Sequence, residues 1–172
     1  AIHRFPKPYV AILDGVTMGG GVGLAVHGSY RIATERTMFA MPETGIGYFP
    51  DVGGSHFLPR CPGQIGMYMA LTGARLKAAD AVHAGVATHF VTAERISDLI
   101  EALAAIGETA EPPAALEQVL GEFVSDPGPA PLVAYRGIID RCFAADTVAG
   151  ILAALGREDD PWASEVARIM AR

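Results

Sequence analysis

Residues 14 to 28 read Asp14-Gly15-Val16-Thr17-Met18-Gly19-Gly20-Gly21-Val22-Gly23-Leu24-Ala25-Val26-His27-Gly28, and their reading decides the fold. The glycines at 19 to 23 lead into a small-residue apolar segment, which the pattern predicts as a buried helix ending at Gly28. Just before it, residues 9 to 13 form a short apolar run between Pro8 and the Asp14-Gly15 turn pair, the mark of a buried strand. Further strands are predicted at 30 to 33 and at 37 to 41, the second stopped by Pro42. Residues 42 to 54 hold two prolines and four glycines. They read as an ordered loop, the kind of segment that carries function.

Working outward, helices are predicted at 64 to 71, closed by Gly73, and at 78 to 84, closed by Gly85, with a short strand at 88 to 91. Beyond Thr92 the spacing of Ile96, Leu99, Ile100, Leu103 and Ile106 follows the helical period. Helices are also predicted at 113 to 124, 132 to 144, 148 to 155 and 162 to 171. The chain is therefore α/β, with a mixed part at 1 to 92 and an all-helical extension at 93 to 172.

With 172 residues, 51% apolar and 19% charged, the composition is that of a globular domain. Only Lys7 and Lys77 are lysines and the net charge is −6, so no basic run tracks a nucleic-acid strand. No apolar run approaches ~18 residues, and residues 1 to 8 have no signal core, so neither membrane spanning nor secretion is expected. Cys61 and Cys142 lie far apart and read as free thiols of a reducing compartment. His83 and His89 are six apart and separated by Gly85, a spacing that makes no helical metal pair, so no metal site is expected. The preference for Arg over Lys and the abundance of Ala point to a bacterial cytoplasm, or to the mitochondrion in a eukaryote.

The glycine run is not a phosphate loop. A dinucleotide fingerprint would need Gly where Leu24 stands, and a Walker loop would need Gly-Lys-Ser/Thr where Gly20-Gly21-Val22 stands. Nor is Gly53-Gly54-Ser55-His56-Phe57 a nucleophile elbow, because Phe57 replaces its closing glycine. Two readings stay open: backbone amides at a helix start that stabilise an oxyanion, or close helix–strand packing without side chains. In the loop, Met41-Pro42-Glu43 and Phe49-Pro50-Asp51 repeat a unit in which an acid follows a proline. Proline stiffens each segment. Phe39, Met41, Ile46, Tyr48 and Phe49 would desolvate a carboxylate and suit it to acid/base work. The alternative is a pair of solvated loop acids or helix caps.

Taken together, Asp14 to Gly23, Phe39-Ala40-Met41-Pro42-Glu43-Thr44, Phe49-Pro50-Asp51-Val52-Gly53-Gly54 and Leu71-Thr72-Gly73 resemble the crotonase (enoyl-CoA hydratase/isomerase) superfamily, most of all its 3-hydroxyisobutyryl-CoA hydrolase branch. The helical tail also resembles that branch. The resemblance implies part of the ββα spiral core and hydrolysis of a short-chain acyl-CoA thioester, 3-hydroxyisobutyryl-CoA in valine breakdown. CoA would belong to the substrate, and no cofactor is implied. Gly20 would give one amide to the thioester oxyanion hole. Glu43 would act as a base on water or attack the thioester to form a mixed anhydride. Asp51 would position water or the substrate hydroxyl and shuttle a proton.

Enoyl-CoA hydratases, by the same resemblance, carry Glu at the position of Gly23 and no acid at that of Asp51. Dienoyl-CoA isomerases share the two acids but also have a carboxylate at the Gly23 position. The hydrolase reading accounts for all three positions. Its rivals are hydration or isomerisation, and an inactive structural or regulatory module. In crotonases a preceding half supplies the second oxyanion amide and much of the CoA surface. The expectation is thus a central to C-terminal fragment, completed by an N-terminal half or by oligomerisation.

Overall fold

The structure, a computed structural model, describes residues 2–107 and 112–171. Strand β1 (Val10–Leu13) pairs in parallel with β3 (Tyr30–Ala33), which pairs in parallel with β5 (His89–Phe90). Parallel neighbours need a crossover, and helix α1 (Gly20–Ala25) lies in the first one. Two further strands, β2 (Val16–Thr17) and β4 (Met38–Phe39), form a second parallel pair with Val16 opposite Met38 and Thr17 opposite Phe39.

Side chains alternate across the sheet. Val10, Ile12, Tyr30 and Ile32 join a cluster with Leu99, Leu116, Leu120 and Phe123. Ala11, Leu13 and Ala33 face a second cluster with Val22, Phe39, Met41 and Met69. Both faces are covered, as a parallel sheet requires.

The remaining helices are α2 (Gly54–Phe57), α3 (Ile65–Thr72), α4 (Ala78–His83), α5 (Ile96–Ala104), α6 (Pro112–Phe123), α7 (Arg136–Cys142), α8 (Val148–Leu155) and α9 (Pro161–Met170). Both clusters draw residues from each side of residue 92: the first includes Leu132, Ile139, Ile151 and Val166, the second Leu116 and Phe123. Specific bonds add to this packing. Asp140 Oδ1 accepts from Gln64 N at 2.8 Å, and Asp80 Oδ1 accepts from Leu132 N at 2.8 Å. The ring of Trp162, which follows the Asp160 cap and Pro161, stacks on Tyr135 at 4.5 Å.

Three local expectations need correction. The strand expected at 37 to 41 is only two residues long, because Phe39 exchanges backbone bonds with Leu76 and the chain then turns at Pro42. The helix expected at 132 to 144 is divided into a 3-10 segment, Pro131–Tyr135, and α7. Strand β2 and helix α2 were not expected, since elements of two and four residues are too short to show a period.

At the end of β1, Asp14 accepts from Thr34 Oγ1 at 2.6 Å and from both sides of the Arg36 guanidinium. Arg36 first, then Thr34, holds the Asp14 carboxyl below its ordinary value. A carboxyl depressed in the folded state stabilises at neutral pH, and that stabilisation is lost as pH falls through the folded-state value. Asp14→Asn is accordingly expected to lower the melting temperature near neutrality and to flatten its fall on acidification, read from melts across an acid series.

Among the described residues no strand pairs with the outer edge of β1. Along that edge Tyr9, Ile12, Val16 and Leu24 line an open groove in which Val16 is 71% and Leu24 62% exposed. Residues 1 to 172 expressed by themselves are expected to self-associate through it. Light scattering after size exclusion reads the mass, and a monodisperse, cooperatively melting monomer would contradict the expectation.

Candidate functional site

The parallel register of β2 and β4 carries Gly20 and Glu43 toward the same end of that small sheet. The chain leaves β2 at Thr17 into Met18-Gly19-Gly20, and leaves β4 at Phe39 into Ala40-Met41-Pro42-Glu43. Ala40 N donates to Thr17 O at 3.3 Å, so the two exits begin side by side.

At the start of α1 the capping residue is Gly19, with φ 52° and no side chain to accept from the helix amides. Gly21 N turns back to Met18 O at 3.1 Å and Val22 N to Gly19 O at 3.0 Å. The Gly20 amide has no acceptor among the described residues, and Gly20 is exposed. One first-turn donor is thus left open for an acceptor from outside.

Glu43 opens a 3-10 turn, Glu43–Ile46, that closes at Gly47 with φ 73°. The turn sits against α3, and its ends are tied by Tyr48 N donating to Glu43 O at 3.0 Å. The Glu43 residue is 7% exposed, and its Oε2 has no hydrogen-bond partner among the described residues. A buried carboxylate oxygen without a donor is costly unless a ligand or water supplies one.

Asp51 differs: it is exposed, and its carboxylate has no hydrogen bond or ion pair among the described residues. The apolar shell expected around both acids is only partly there. Phe39 and Met41 are buried, but Ile46, Tyr48 and Phe49 are 84%, 50% and 64% exposed. The turn at Gly47 carries the two aromatics outward, where they stack on each other at 4.4 Å.

Asp51 is brought toward α1 by its neighbour Val52. A Cβ built on Gly23 would lie 2.9 Å from Val52 Cβ and 3.2 Å from its Cγ1. The space beside Gly23 is therefore already filled. Beyond it, a cavity of about 210 Å³ is lined in part by His3, His27, His56, Arg31 and Arg60. Arg60, then burial, then His3 and His27 hold the His56 imidazole below its ordinary value. Among the described residues no three His, Cys, Asp or Glu side chains are gathered to hold a metal ion. Burial pushes the Cys61 thiol up to about 11 and the Cys142 thiol upward, which leaves both poor nucleophiles. Val52 and His27 were not singled out from sequence. The available signals were a polar ring ending an apolar helix and a β-branched residue between an acid and two glycines.

A family model described as enoyl-CoA hydratase/isomerase matches residues 1–172. The chain belongs to the enoyl-CoA hydratase/isomerase family. It is 48% identical over 178 residues to the mitochondrial 3-hydroxyisobutyryl-CoA hydrolase of Rattus norvegicus, covering 99% of this chain and 45% of that protein. Among solved structures, a carnitinyl-CoA dehydratase from Mycobacterium thermoresistibile matches with a TM-score of 0.89 and 44% identity, over 99% of this chain and 48% of that one. An enoyl-CoA hydratase from Rhodobacter sphaeroides matches with a TM-score of 0.78 and 42% identity, over 98% and 46%. The chain spans about half the length of the curated relatives it matches, 45% in the rat protein. No helix among the described residues is long and apolar enough to cross a membrane.

Within this enoyl-CoA hydratase/isomerase chain, the contact between Gly23 and Val52 makes a direct prediction. Alanine is the better helix former by roughly 1 kcal/mol, yet its methyl group would meet Val52 Cβ, which cannot swing away. Gly23→Ala is expected to lower stability by about 1–3 kcal/mol, the usual cost of overpacking, and Gly23→Glu by more. Urea unfolding of the variants reads the difference.

Proposed function

We propose that the complete polypeptide carrying these residues hydrolyses a short-chain acyl-CoA thioester, 3-hydroxyisobutyryl-CoA to 3-hydroxyisobutyrate and CoA. The observation that carries this reading is the pairing of a buried Glu43 oxygen that lacks a donor with a filled space at Gly23. In the proposed reaction, water adds to the thioester carbonyl carbon, the C–S bond breaks, and CoA leaves as the thiol. Glu43 takes the proton of the attacking water, or adds to the carbonyl itself and is then freed by water. The Gly20 amide donates to the oxyanion as charge develops on the carbonyl oxygen. Asp51, solvated and exposed, holds the water or the substrate hydroxyl and relays the proton. Relatives named 3-hydroxyisobutyryl-CoA hydrolase support the substrate class. The word mitochondrial in those names supports a mitochondrial setting in a eukaryote, and a bacterial cytoplasm is our reading otherwise.

A second reading has its own support, since the two structural neighbours above are titled as a dehydratase and a hydratase. The two separate on a single pair of assays. With 3-hydroxyisobutyryl-CoA, free thiol is expected to appear, and with crotonyl-CoA the enoyl absorbance is expected to persist. Loss of the enoyl absorbance without thiol release would favour hydration.

A further inference from the structure

Val52 is the one non-glycine residue with positive φ among the described residues, at 45°. A β-branched side chain rarely adopts this conformation, so neighbouring structure must hold it there. Three contacts do so. His27 Nε2 donates to Val52 O at 2.9 Å. Gly53, at φ 85°, lets the backbone run so close to the His27 ring that a Cβ there would lie 2.5 Å from Nε2. On the other side the Val52 side chain fills the space over Gly23. The His27 ring is itself steadied edge-on against Phe57, with ring centroids 6.4 Å apart.

This matters because of what Asp51 lacks. Its carboxylate has no partner among the described residues, so what the fold controls is the backbone at Asp51, which sets the place of its Cα–Cβ bond. That backbone is fixed on one side by Pro50 and on the other by the left-handed turn at Val52. Asp51 O also accepts from Gly54 N at 2.7 Å, which couples the turn to the start of α2.

We infer that His27 is a positioning residue: its Nε2–H, by holding the Val52 carbonyl, keeps the Val52 turn and so fixes the backbone position from which Asp51 presents its carboxylate. The inference rests on the role given above to Asp51. It adds a residue that touches neither substrate nor the reacting atoms and acts through the main chain.

The test uses the complete polypeptide with His27→Ala, His27→Gln and Asp51→Asn. Glutamine can present an amide N–H near the position of Nε2, whereas alanine cannot. For His27→Ala the crystal structure is expected to show Val52 out of the left-handed region and the Asp51 carboxylate displaced. Its kcat for thiol release is expected to fall about 10²-fold, the scale of an ångström-sized misplacement, with KM nearly unchanged. His27→Gln should restore both the turn and most of kcat. In an Asp51→Asn background, His27→Ala should add little to the loss in kcat. If Val52 and Asp51 stay in place in His27→Ala, or if the two losses multiply, the positioning role is overturned. Full thiol release by Asp51→Asn would overturn it too, and would identify the reading of Asp51 as the failed step.

Discussion

Glu43→Gln in the complete polypeptide is expected to lower thiol release from 3-hydroxyisobutyryl-CoA by roughly 10²- to 10⁴-fold, the usual contribution of a positioned acid or base. The amide is nearly isosteric but can neither take a proton from water nor attack a carbonyl. Folding should not suffer. The carboxylate is buried with an Oε2 that finds no donor, so its removal takes away a desolvated group rather than a bonded one. The expected signature is a large loss of kcat with a thermal midpoint that does not fall. A variant that keeps its rate would remove Glu43 from the reaction. Single-turnover hydrolysis in heavy-oxygen water distinguishes the two roles open to Glu43. Label in the Glu43 side chain identifies a nucleophile whose anhydride water opens at the glutamyl carbonyl, because a base leaves all of the label in the hydroxy acid.

Gly20→Pro is expected to cost about 10²- to 10³-fold in kcat, as loss of one oxyanion donor does. The substitution is unusually clean. Proline is favoured at the first position of a helix, where its missing N–H would have no internal partner, and Gly20 occupies that position in α1. A Cβ built there meets nothing within 4 Å. The ring Cδ takes the place of the open amide hydrogen and no internal bond is lost, so circular dichroism and the melting temperature should change little while the rate falls. Gly20→Ala keeps the amide and serves as the control. If the alanine and proline variants lose activity equally, the amide is not the donor.

The sequence alone was sufficient for the elements whose cause is local. The β1 run between Pro8 and Asp14-Gly15, the stop of α3 at Gly73 and the periodic apolar positions from Ile96 onward each follow from a few adjacent residues. The glycine run at 19 to 23 and the two Pro-acid units at 42 to 51 were also visible as motifs, each within one short stretch of sequence. Tertiary structure decided the rest. Nothing adjacent to Ile46, Tyr48 and Phe49 tells that they face outward, since that depends on which way the Gly47 turn directs the chain. No local pattern shows that Leu132, Ile139 and Val166 share a cluster with Leu13 and Phe39, positions 93 to 153 residues away in the chain. The closure of Gly23 by Val52 and the bond from His27 to the Val52 carbonyl join positions 25 or more apart in the chain. Local preference would have kept a β-branched residue out of the left-handed region. Val52 is there because a ring, a missing Cβ on each neighbouring glycine and a packed side chain together outweigh that preference, and those partners meet only once the chain is folded.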